Sequence, residues 1–65
     1  MDRIELIVER WGGASGAEFR WSAWSKGKRV LMGERAKPSA ESAEKEGQDA
    51  CRQFLGRQAD RVERL

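Results

Sequence analysis

Histidine is absent from this 65-residue chain, and cysteine and proline occur once each. Without histidine, and with Cys51 alone, the common zinc ligand sets cannot be assembled, nor can Ser-His-Asp or Cys-His nucleophilic arrangements. Gly12, Gly13 and Gly16 do not fit the G-x-G-x-x-G spacing, and no P-loop lysine follows them. The carboxylates that can be placed fall on wet strand or helix faces with no cleft to raise a pKa. We therefore expect no enzyme: no catalytic residues, no metal and no cofactor. A lone cysteine closes no intrachain disulfide, and no apolar run reaches the length of a signal peptide or membrane span. The expected compartment is a reducing cytoplasm, with no membrane partner.

One-sided charge is lacking too. Thirteen Lys and Arg stand against eleven Asp and Glu, a net +2, and most of the basic residues are interleaved with acids, so charge alone points only weakly to nucleic acid. With 37% charged and 38% hydrophobic residues, the chain is too apolar and too well patterned for a disordered segment. Its length makes one domain, 1–65, near the lower limit for an apolar core without staples.

The stretch from Glu18 to Val30 is the centre of the pattern. Phe19, Trp21 and Ala23 alternate with Arg20, Ser22 and Trp24, the period of a half-buried strand. Lys26-Gly27 then forms a tight hairpin turn, since glycine at the second position supplies the positive φ. Counting back from the turn sets Ser25 against Lys28, Trp24 against Arg29, Ala23 against Val30 and Trp21 against Met32. Trp21 is thereby core, with Phe19, Val30 and Met32. Trp24 lies on the other face beside Arg29. That pair reads either as a surface cation–π contact of ~0.5–1 kcal/mol or as an aromatic and a guanidinium displayed for a partner, and the two readings are compatible.

Upstream, Ile4, Leu6 and Val8 share one face of a first strand and Ile7 and Trp11 the other. The GGASGA loop, 12–17, leads into the second strand. Setting Val8 against Trp21 pairs Glu9 with Arg20, whereas Val8 against Phe19 would pair Glu9 with Glu18, so charge selects the first register. Downstream, Pro38 ends the third strand's crossover, Ser39 is an N-cap, and Glu41 and Glu44 suit the start of a helix. Ala40, Ala43, Gly47, Ala50, Cys51, Phe54, Leu55 and Val62 form one apolar stripe, in which Cys51 reads as a small buried hydrophobe. Small residues bring the helix close to the sheet, and Phe54 and Leu55 fill the far end. Ala59, Val62 and Leu65 keep the phase past Gly56.

The expected architecture is α+β: a three-stranded antiparallel meander (about 3–11, 18–25 and 28–34) packed on one long C-terminal helix (about 39–64), or βββα. Such a helix would run roughly 39 Å against roughly 23 Å for a strand, so its last turns overhang. Val62 and Leu65 then make a homodimer contact, a partner contact or a frayed tail, and the sheet face is the other candidate homodimer contact.

Phe19-Arg20-Trp21, Gly27 in the hairpin and Ser39-Ala40-Glu41 opening an Ala-rich helix resemble short bacterial and phage-borne βββα proteins of uncharacterised function. The resemblance covers about 19–50 and implies the fold more than any activity. Some of those proteins come as tandem repeats, whereas this sequence shows no second repeat, and Lys37-Pro38 stands where they often carry an aromatic residue.

Two function classes follow. The first is a protein-interaction module, an inhibitor or adaptor carried by a mobile element and similar in size and make-up to anti-CRISPR proteins. It would bind through Ile7, Trp11, Arg20, Trp24, Arg29 and Leu31 on the outer sheet face, and through Val62 and Leu65. The alternative is a nucleic-acid-binding module whose sheet resembles the arm-binding domains of phage-type integrases, with Arg20, Lys26, Lys28, Arg29 and Arg35 on phosphates and Trp24 stacking on a base.

Overall fold

A computed structural model describes residues 3–12 and 16–65. The centre of the loop read at 12–17 lies outside the described residues. Three strands, β1 (Ile4–Trp11), β2 (Glu18–Ser25) and β3 (Lys28–Met32), precede a helix, α1 (Ala40–Ala50), and a fourth strand, β4 (Arg61–Arg64), follows it. The fold is α+β, and its sheet is mixed rather than a pure three-stranded meander. Its order is β3-β2-β1-β4, with β1 antiparallel to β2 and parallel to β4.

The β1–β2 register is the one that charge selects: Val8 faces Trp21 and Glu9 faces Arg20. The hairpin turn has Lys26 and Gly27 at φ 54° and 73°, and it sets Ser25 against Lys28 and Trp24 against Arg29. Beyond that pair a β-bulge shifts the ladder, so Ala23 faces Leu31 and Ser22 faces Met32. One extra residue reverses the faces of everything after it. Leu31 therefore packs against the core, while Val30 and Met32, expected inside, are 42% and 53% exposed. The physical reason lies in Trp21. Its partner across the sheet is Gly33, which donates its N–H to the Trp21 carbonyl at 3.0 Å, and a Cβ at Gly33 would stand 2.6 Å from the indole Nε1. Only glycine leaves room for that ring.

The helix starts as its sequence dictates. Ser39, in extended conformation, accepts a hydrogen bond from the Ser42 N–H, and Glu41 sits in the first turn, where the N-terminal dipole favours it. The helix packs on β1 and β2. Gly47 is buried on Leu6 and Trp21, so the small-residue stripe does bring helix and sheet together. Buried Ile4, Leu6, Val8, Trp21, Ala23, Ala43 and Cys51 form the core.

The long helix does not continue to residue 64. It widens into a π-helical turn over Cys51–Leu55 and stops at Gly56, which adopts the left-handed conformation at φ 84°, the usual geometry of a glycine just past a helix end. The chain then folds back. Ala59 donates its N–H to Gln48 Oε1 at 2.8 Å. Asp60 closes on Ile4 twice, accepting its N–H at Oδ2 and donating its own N–H to the Ile4 carbonyl, both at 2.8 Å. Val62 falls beside Leu6 in β4 and packs against the core. Val62 and Leu65 are thus not an overhanging helix end. Val62 completes the sheet's inner face, and Leu65, 67% exposed, donates its N–H to the Val8 carbonyl at 2.9 Å. The π turn also carries Phe54 out of the core to 65% exposure.

Candidate interaction face

The sheet's outer face is assembled by register alone. Residues Glu5, Ile7, Glu9 and Trp11 of β1 stand beside Trp24, Ser22, Arg20 and Glu18 of β2. On one flank β3 adds Arg29 and Met32, and on the other β4 adds Arg61 and Glu63. The helix covers the opposite side.

Of the six residues expected on this face, five are there: Ile7, Trp11, Arg20, Trp24 and Arg29. Leu31 is not, because the bulge turns it inward. Met32 takes its place, a residue the regular register had put in the core. Trp11 is 54% exposed. Trp24 is half-buried, and its indole N–H donates to Ser22 Oγ at 2.9 Å, which satisfies a hydroxyl on a residue only 8% exposed and holds the ring over its own strand. Among the described residues, no buried side-chain nitrogen or oxygen lacks a hydrogen-bond partner.

Two recesses flank Trp24. A groove of about 490 Å³ runs between Trp11, Arg20, Trp24, Arg29 and Met32, and a smaller one of about 180 Å³ lies between Arg3, Ile7, Trp24 and Lys26. Five basic residues on this face (Arg3, Arg20, Lys26, Arg29 and Arg61) stand against four glutamates (Glu5, Glu9, Glu18 and Glu63). Such a surface is aromatic and close to charge-balanced rather than strongly basic.

The titratable groups with displaced pKa values lie elsewhere and serve the fold. Glu46, on the helix, accepts hydrogen bonds from Lys37 Nζ and from the Trp21 indole, each at 2.8 Å. The lysine bond first, then the indole bond, hold its carboxyl below the usual glutamate value. Asp60 is likewise lowered, by Arg57 and then by the Ile4 N–H. Burial pushes the Cys51 thiol up, which leaves it a poor nucleophile. Among the described residues, no group of three His, Cys, Asp or Glu side chains could hold a metal ion, and no helix is long and apolar enough to cross a membrane.

The class these observations define is a small α+β domain with a mixed four-stranded sheet and an aromatic outer face. No family model, curated protein or solved structure matches the chain.

Proposed function

We propose that the chain is a small non-enzymatic protein-interaction module that binds a protein partner through the outer face of its sheet. The groove between Trp11, Arg20, Trp24, Arg29 and Met32 carries this reading. Tryptophan and arginine are the residues most enriched where truncation costs an interface most, and here they line a groove on the side the helix leaves open. The near balance of basic residues and glutamates suits a polar protein surface. A phosphate backbone would meet four carboxylates. The finer form of the proposal is an inhibitor or adaptor of the anti-CRISPR kind carried by a mobile element. The single buried cysteine supports a reducing cytoplasm as its place of work.

The nucleic-acid reading has one observation in its favour: basic residues gather around the β2–β3 hairpin and the segment after it. A fluorescence titration with single- and double-stranded oligonucleotides at low and moderate salt separates the two. Binding that saturates and weakens steeply with salt would favour nucleic acid. The interaction-module reading predicts no saturable quenching by either oligonucleotide.

A further inference from the structure

The sheet has four strands but the helix covers mainly two of them. On the β3 side the inner layer stops short, leaving a groove of about 280 Å³ lined by Leu31, Gly33, Arg35, Lys37, Ala50 and Phe54. Beside it runs the outer edge of β3, which among the described residues has β2 as its only neighbour in the sheet. The ladder fixes which main-chain groups are open. Phe19 exchanges two hydrogen bonds with Lys37, and Trp21 accepts one from Gly33, so the odd-numbered residues of β2 bond toward β3. Ser22 and Trp24 therefore sit in non-bonded pairs with Met32 and Arg29, and in such pairs the facing N–H and C=O groups point away from the neighbour. Arg29 and Met32 thus direct their main-chain donors and acceptors outward.

Charge says what fits there. Between 26 and 37 stand Lys26, Lys28, Arg29, Arg35 and Lys37 against the single acid Glu34, whereas the rest of the chain holds eight basic and ten acidic residues. Lys37 is already paired with Glu46, which also lines the groove, so Lys28, Arg29 and Arg35 supply the positive charge at the edge. A second copy would bring the same basic strip against itself. Acidic side chains would meet opposite charge.

We propose that the β3 edge docks an extended acidic peptide segment, which adds a fifth strand through the main chain of Arg29 and Met32 and seats an apolar side chain beside Leu31, Ala50 and Phe54. The proposal rests on the interaction-module reading and names the chemistry of one partner, on a strand edge that adjoins the Trp24 groove at Arg29 and Met32 but seats its side chain on the opposite face of the sheet. Main-chain bonds would supply affinity and the groove would supply selectivity.

The test is an NMR titration of the full chain with a short acetylated, amidated peptide alternating glutamate and isoleucine. The expected result is saturable shifts along β3 and at Ala50 and Phe54, with the Arg29 and Met32 amides gaining exchange protection. N-methylation of the peptide's bonding edge should weaken binding by about tenfold or more, since it removes main-chain hydrogen bonds. Phe54→Asp, a change at an exposed position, should weaken it similarly while leaving the fold intact, and a lysine–isoleucine peptide should not bind. Equal binding of the N-methylated peptide would overturn the proposal by showing attraction through charge alone. So would tighter binding of an oligonucleotide at the same edge, or concentration-dependent β3 shifts without peptide, the mark of a second copy. Trp24→Ala should not alter peptide binding. If the peptide fails while Trp24→Ala still abolishes capture of a protein partner, this inference falls and the outer-face reading stands.

Discussion

Replacing Gly47 by alanine sets two effects of known sign against each other. In a helix interior the change gains about 1 kcal/mol of helix propensity. Here, however, the new methyl would stand 2.6 Å from Leu6 Cδ1, 3.1 Å from Leu6 Cδ2 and 3.2 Å from Trp21 Cδ2. Leu6 is fully buried and Trp21 is 6% exposed, so neither can swing into solvent to make room. Overpacking of this kind costs about 1–3 kcal/mol. The net expectation is a loss of about 1 kcal/mol, a fall of roughly 4–8 °C in Tm for a domain this small. Urea unfolding followed by tryptophan fluorescence measures it. A double-mutant cycle with Leu6→Val identifies the cause: the shortened side chain vacates the contested space, and in that background Gly47→Ala should become neutral or stabilising. If Gly47→Ala alone stabilises by about 1 kcal/mol, propensity has won and the close approach of helix to sheet is refuted.

Three other outcomes follow from the same contacts. Because the Glu46 carboxyl is held below its unfolded value, its contribution is complete above the ordinary glutamate range and is lost as pH falls through the folded pKa. Acid unfolding should thus be shallower in Glu46→Gln, and an unchanged acid limb would remove Lys37 and Trp21 as its partners. Asp60→Ala deletes the acceptor of the Ile4 N–H, so the Ile4 and Leu65 amides should exchange faster with solvent. Retained protection would mean that β4 docks without that clasp. Cys51, fully buried, should resist thiol reagents until the chain unfolds, and prompt labelling of the native protein would contradict its place in the core.

Half of the sheet could be read from local chemistry. One glycine turn and one charge preference, Glu9 with Arg20 over Glu9 with Glu18, were enough to set the β1–β2 register and the start of the β2–β3 hairpin. Ser39 and Glu41 marked where the helix begins. The bulge was hidden because Val30, Leu31 and Met32 are apolar in succession, so either face could claim them. Its signal was Gly33, whose lack of a Cβ only matters once the Trp21 ring lies opposite. The fourth strand was hidden because Ala59, Val62 and Leu65 fit a helical spacing as well as they fit anything, and Arg61–Arg64 is too short to show alternation. Yet a helix overhanging its sheet was itself the clue. Apolar residues with nothing to cover argue for a chain that stops, at Gly56, and turns back. The outer face survived these changes because Ile7, Trp11, Arg20, Trp24 and Arg29 all precede the bulge, and Leu31, the one residue beyond it, was lost.

Everything proposed for this chain turns on protein binding by the outer sheet face. Parallel affinity capture with the wild-type chain, Trp24→Ala and Trp11→Ala tests it most directly, with circular dichroism confirming that each variant is folded. Trp11, more than half exposed, guards against a loss caused by unfolding. Binding through this face requires a specific partner captured by the wild type and lost from both variants. The same capture by all three folded proteins would contradict it.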